Sequence, residues 1–215
     1  MHLFTSEIVD GNMHPSLEAC VGEAQSNFTL FCMKHSIEPT SLLGLRIDPT
    51  WTDGDRILDL TQKGIDLQTH KRGSVAVEDR IRAHSIVFPK TIGAFALSAD
   101  CYPVSIVSNT FAAFAHVGWR SARDNLIEQT IELLNGYTEK NEPYKVLVGP
   151  GIRFLSLLEN SILSSIKRSV GNNRAVSLST DRRDTFWSKS LYSRRNYISF
   201  ATRYKPRGNH VTILS

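Results

Sequence analysis

The strongest constraint on this chain lies in its middle, where three apolar runs follow one another: Ile92-Gly93-Ala94-Phe95-Ala96-Leu97, Val104-Ser105-Ile106-Val107 and Phe111-Ala112-Ala113-Phe114-Ala115. The first reads as a buried strand. The other two read as short strands around Ser108-Asn109-Thr110, and a three-residue turn there makes a hairpin. Pairing Val107 with Phe111 places Tyr102 opposite His116, with Cys101 within about a residue of that imidazole. The segments Ala99-Asp100-Cys101-Tyr102-Pro103 and Ala115-His116-Val117-Gly118-Trp119-Arg120 then meet at one open sheet end. A thiol and an imidazole share the end of a sheet where chemistry usually sits.

The flanks interleave strands and helices. Leu3 to Val9 reads as a strand, and Ser16 is a candidate N-cap for a helix from Leu17 toward Met33. Leu42 to Ile47, Asp55 to Leu60 and Ser85 to Phe88 read as further strands. Thr61 to Arg82 is a polar surface excursion with Ser74-Val75-Ala76-Val77 as its one apolar patch. Asp124 is a plausible N-cap for a helix carrying Leu126, Ile127, Thr130, Ile131 and Leu134 on one face, stopped by Gly136. Tyr144 to Val148 reads as a strand ending in Gly149-Pro150-Gly151, Leu155 to Val170 as a second helix, and Phe186 to Leu214 as a tail with one or two strands. Hairpin connections among these elements favour mixed sheets over a doubly wound fold.

At 215 residues and 41% hydrophobic, the chain fits one globular domain, 1–215, with a sizeable core. A net charge of +4 is only mildly basic. The arginines of Asp181-Arg182-Arg183 and Ser193-Arg194-Arg195 read as solvated loops or anion contacts, not as a nucleic-acid-binding stripe. Three cysteines, Cys20, Cys32 and Cys101, form no CxxC pair, which points to a reducing compartment with Cys20 and Cys32 as core residues. No apolar run reaches membrane-span length and no secretory leader is legible, so a cytoplasmic, soluble protein without membrane partners is the expectation.

Cys101 and His116 support three chemical readings. They are two ligands of a zinc ion, whose preference for sulfur and nitrogen suits them. Alternatively Cys101 is a thiolate nucleophile activated by His116, or both side chains pack a strand end. Asp100 adds a carboxylate, and Arg120, opening the helix assigned to Asp124, suits phosphate or another anion. Trp119 is read as core packing ahead of ligand stacking.

Ser98-Ala99-Asp100-Cys101-Tyr102-Pro103-Val104 and Ala115-His116-Val117-Gly118-Trp119-Arg120 resemble the paired signature of the laccase-domain (multicopper polyphenol oxidase) family. Weaker similarity extends to Ala83-His84-Ser85-Ile86-Val87-Phe88, to Gly149-Pro150-Gly151-Ile152 and to Leu191-Tyr192-Ser193-Arg194-Arg195-Asn196, covering most of residues 27–200. The resemblance implies a single α+β domain of mixed β-sheets packed together with flanking helices. It also implies a zinc-dependent purine nucleoside phosphorylase that deaminates adenosine, acting on adenosine, inosine or methylthioadenosine with phosphate, as a monomer or homodimer. Cys101 and His116 would be two of the family's three zinc ligands, with Asp100 beside them in the catalytic group and Arg120 binding phosphate.

The family's third ligand is a histidine in a Gln-x-His-Gly motif, and here the chain departs. Gln68-Thr69-His70 has the histidine without the glycine, whereas Asp53-Gly54-Asp55-Arg56-Ile57 keeps the spacing and glycine with aspartate in the histidine's place. Asp53 and His70 are therefore both candidates. Ser121 replaces a small glycine, and His84 an acidic residue. Seven histidines with no His-x-His pair argue against copper oxidation. The competing functions are a Cys-His hydrolase acting on an amide or cell-wall precursor, and a non-catalytic binding relative with a degenerate metal site.

Overall fold

The computed structural model describes residues 1–7, 10, 21–46, 57–61, 72–153, 157–170, 174–183, 185 and 210–215. These residues form an α+β fold of two mixed sheets and four helices. The first sheet contains β1 (Leu3–Thr5), β11 (His210–Leu214), β6 (Gly93–Ser98), β2 (Leu42–Arg46) and β4 (Ile81–Arg82), in that order. In the second the order is β10 (Val176–Thr180), β9 (Tyr144–Val148), β7 (Tyr102–Val107), β8 (Phe111–Val117), β5 (Ser85–Pro89) and β3 (Ile57–Asp59). β11–β6, β7–β8 and β5–β8 are antiparallel, whereas β2–β6, β3–β5 and β9–β10 are parallel.

The burial pattern explains the stacking. Alternate residues of β7, β8 and β5 point to opposite faces. Tyr102, Val104, Ile106, Ala113, Ala115 and Val117 pack against α3 (Leu126–Asn135) and α4 (Leu157–Val170). Ile86, Phe88, Ala112 and Phe114 turn to the other side and meet Leu43, Leu45, Ala94 and Ala96 of the first sheet. That sheet's far face receives Ala24, Phe28, Phe31 and Cys32 of α1 (Val21–Lys34), with the Phe28 and Phe95 ring centroids 4.7 Å apart. With both faces covered, the central strands read as almost unbroken apolar runs. Val75 and Ala76, expected on a surface excursion, are both buried, Val75 in the cluster that includes the α1 residues.

Burial pushes the Cys32 thiol up to about 12, with Glu38 adding to the shift. A thiol pKa raised above its unfolded value stabilises the fold fully below that value, near 9.0, and the contribution is lost as pH rises through about 12. Native protein at pH 8 is accordingly expected to leave Cys32 unmodified by iodoacetamide, while denatured protein alkylates it. Peptide mass mapping checks this, and native labelling at Cys32 would contradict the burial.

The β7–β8 hairpin is tighter than the sequence suggests. Val107 pairs with Ala112, not Phe111. Ser108 closes the turn: its backbone N donates to Phe111 O at 2.9 Å, and its hydroxyl oxygen accepts from Phe111 N at 3.0 Å. Only Asn109 and Thr110 remain in the connection, and the register moves by one residue, so that Pro103 faces His116 and Tyr102 faces Val117. The helix after the hairpin is also divided. Asp124 closes a separate α2 (Trp119–Arg123) as its C-cap, and Asn125, at φ 58°, starts α3 without a side-chain cap bond. The exposed strand β10 was not foreseen, because its five residues carry no buried face to mark them.

Candidate functional site

The one-residue shift decides the geometry of the site. Directly opposed residues on an antiparallel pair share a face, as do residues two apart along a strand. Continuing the pairing of Tyr102 with Val117 by one step sets Cys101 against Gly118, and the contact there agrees: Cys101 Sγ lies 3.0 Å from where a Cβ on Gly118 would stand. Cys101 and His116 are therefore diagonal neighbours on one face, a relation that spans about 7–8 Å between Cα atoms and is bridged by long side chains. The register read from sequence would have put them on opposite faces. Gly118 suits its position because any side chain there would press on the thiol.

A third residue joins this row. The backbone N of His116 donates to His84 O at 2.8 Å, extending the β5–β8 ladder one step beyond the Ser85–Ala115 pair. His84 thus lies directly opposite His116, on the face with Ile86 and Phe88 that turns toward the first sheet. In the sequence His84 was visible only as a departure from the family pattern. The signal that could have found it is its position immediately before a buried strand whose partner carries His116.

His116 is 8% exposed, and its Nδ1 is buried with no hydrogen-bond partner among the described residues. Burial, followed by the nearby His84 and Arg80 charges, pushes its pKa down to about 3. The ring is therefore neutral at physiological pH and keeps a lone pair, as a metal ligand or a proton acceptor requires. Cys101 is half-buried at the same end.

Asp100 is built into a brace. Its carboxylate accepts from the Thr185 hydroxyl at 3.2 Å and its carbonyl from Ile152 N at 2.8 Å, while Thr185 N donates to Gly151 O at 3.1 Å. The Tyr102 hydroxyl donates to Ile152 O at 3.1 Å. The loop that presents Cys101 is thus tied to the Gly149–Ile152 segment and to Thr185, a residue that sequence reasoning did not single out. The turn after His116 is closed by Ser121, whose hydroxyl accepts from Gly118 N at 2.9 Å. Arg120 is exposed on α2. Trp119, expected in the core, is instead 55% exposed, because the short α2 leaves its first residue on the outer surface.

Asp53 and His70, the two candidates for a third ligand, lie outside the described residues, as do Cys20 and Leu191 to Asn196. Among the described residues no three His, Cys, Asp or Glu side chains are arranged to hold a metal ion. Cys101 and His116 themselves fit one: a thiol and a neutral imidazole on one face, with a buried ring nitrogen lacking a hydrogen bond.

Residues 59–158 match the family model described as multi-copper polyphenol oxidoreductase laccase. No curated protein matches the chain. Among solved structures it is similar to the hypothetical protein YfiH of Bacillus licheniformis, with 12% identity over 94% of this chain and 84% of that one, at a TM-score of 0.67. YlmD from Geobacillus stearothermophilus gives 15% identity over 94% and 83%, at a TM-score of 0.65. Neisseria meningitidis protein NMB0706, of family DUF152, gives 13% over 94% and 84%, at 0.62. At such identities the three structures show the fold. Among the described residues no helix is long and apolar enough to cross a membrane.

Proposed function

We propose that this chain, whose residues 59–158 match the multi-copper polyphenol oxidoreductase laccase family model, is a divergent member of that family and acts on purine nucleosides with the help of a zinc ion. Cys101 and His116 would hold the ion, with Asp53 or His70 as the third ligand. The observation that carries this reading is the placement of Cys101 and a neutral, buried His116 on one face at the end of the second sheet. A zinc ion bound there would supply Lewis acidity toward water or phosphate.

The remaining residues act by position. The Asp100–Thr185 brace holds the Cys101 loop at the sheet end, and the Ser121–Gly118 bonds fix the turn that places Arg120. Arg120, on the outer side of that turn, would take the phosphate, since a guanidinium offers paired donors to an oxyanion. The substrates proposed are adenosine, inosine and methylthioadenosine, with phosphorolysis at the ribose and deamination at the base.

A combined metal and activity measurement tests the reading. Protein purified without chelator is expected to carry about one zinc per chain and to release base from inosine only when phosphate is present. Folded, zinc-free protein that ignores adenosine, inosine and methylthioadenosine would refute the proposal. Thiol-dependent amide hydrolysis by such protein would identify the Cys-His hydrolase instead, and inactivity on both substrate classes would leave a binding relative.

A further inference from the structure

β10 ends the second sheet, with β9 on one side and no described strand on the other. Its bonds to β9 fix which backbone groups point outward. Ala175 O accepts from Tyr144 N at 2.9 Å, and Asp181 N donates to Val148 O at 2.7 Å. In the parallel register that pairs Val176 with Tyr144, the odd-numbered residues therefore bond inward to β9. The N–H and C=O groups of Val176, Leu178 and Thr180 face the open edge.

Natural sheets blunt such an edge by keeping it short or by placing lysine, proline or a bulge on it. The other edge strands among the described residues are short: β1 and β3 have three residues each and β4 two. β10 has five, Val176-Ser177-Leu178-Ser179-Thr180, with neither a charge nor a proline. The nearest flanking charges are turned back onto their own chain. Arg174 stands over the Tyr144 ring, 4.1 Å from its centroid, and the Asp181 carboxylate accepts from Arg183 Nε at 3.0 Å. Val176 and Leu178 are 41% and 44% exposed. Directly paired residues share a face, so these two continue the row of Tyr144 and Val146, which are buried on the helix side of the sheet. The apolar face of the second sheet thus runs out to an unprotected edge.

We infer that β10 pairs antiparallel with β10 of a second copy of this chain, about a two-fold axis at Leu178. The strand is self-complementary there. Leu178 opposes the partner's Leu178, and Val176 opposes the partner's Thr180, so the apolar row of one chain continues into that of the other. The three residues with outward backbone groups all fall in hydrogen-bonded pairs, which satisfies every N–H and C=O left open on β10. A register one residue away would set each outward group against an inward one. Because the same strand meets itself, the contact closes on two copies and joins their second sheets into one. The inference does not rest on the nucleoside reading.

Analytical ultracentrifugation of the full chain over a dilution series tests it. A reversible monomer–dimer equilibrium is expected. Leu178→Lys and Leu178→Glu should each raise the dissociation constant about tenfold or more, since like charges then face each other on the axis. The side chain is largely exposed, so both variants should melt like the native protein. An equimolar mixture of the two should restore the dimer, because lysine then meets glutamate. Leu30→Lys, exposed on α1, is the control and should leave association unchanged. A chain that is monomeric at every concentration would overturn the inference, and one that instead captures an extended apolar peptide would make the edge a peptide-docking strand. A dimer indifferent to both charged variants, or a mixture no better than either variant alone, would overturn it equally.

Discussion

Replacing His116 with alanine is expected to empty the protein of zinc and to lower turnover of purine nucleosides by about a thousandfold or more, since a metal ion's contribution to such chemistry is lost with its ligand. The imidazole is buried, neutral and short of a hydrogen bond at Nδ1, so no described group takes over its place. Cys101→Ala should have the same effect, because the thiol and the ring share one face at the sheet end. Residues acting as one unit give non-additive losses. The double variant should accordingly be no worse than either single one. Zinc analysis beside an inosine phosphorolysis assay checks the pair. A folded His116→Ala protein that keeps full zinc and near-native turnover would place the chemistry elsewhere.

Gly151→Ala should destabilise the fold by about 2–3 kcal/mol, the usual cost of overpacking a filled interior. A Cβ at Gly151 would lie 2.6 Å from Cγ and Cδ2 of Tyr102, against a ring that is 1% exposed and packed among the helices. The ring has no room to retreat, since Val104, Val148 and Leu158 belong to the same cluster. For a chain of this size the loss corresponds to a melting temperature lower by about 5–10 °C. Gly136→Ala is the mild comparison, because its methyl would meet only the Leu133 carbonyl, at 3.2 Å. The clash is specific to the ring, so the Gly151→Ala penalty should shrink in a Tyr102→Leu background. Equal penalties in both backgrounds, measured by thermal melts, would show that Tyr102 is not what the methyl meets. The substitution should also reduce activity beyond its effect on folding, because Ile152 N and Thr185 N anchor the same segment to Asp100 and Gly151.

The elements of the centre were legible because the interior of this fold is apolar on both sides of each central strand. Long apolar runs such as Gly93–Ser98 and Phe111–Val117 announce themselves without any partner. The helix faces were equally plain, with Leu126, Ile127, Thr130, Ile131 and Leu134 at helical spacing all buried. Boundaries were less so. Asp124 has the chemistry of an N-cap, yet it closes α2, since a short helix before it uses the same residue as its end. Trp119 carries a side chain usually found inside, yet the outer position of the first turn of α2 leaves it exposed. Strand β10 pairs along β9 with every residue outward or half-outward, so no hydrophobic rhythm marks it.

By itself the sequence determined the α+β class, the central hairpin and the family resemblance that the match over residues 59–158 bears out, and it offered Cys101 and His116 as the candidate chemical pair. Those features rest on local composition and on residue types. Only the tertiary structure decided the register: Ser108 closes the hairpin one residue sooner than its letters suggest. Because strand side chains alternate with a period of two, that single step moves Cys101 from the face opposite His116 to the same face. The same pairing across β5 brings in His84, 32 positions distant by its number yet one strand away in space. A turn's hydrogen bonds and a neighbouring strand's alignment are settled by the packed whole, and the site is made of both.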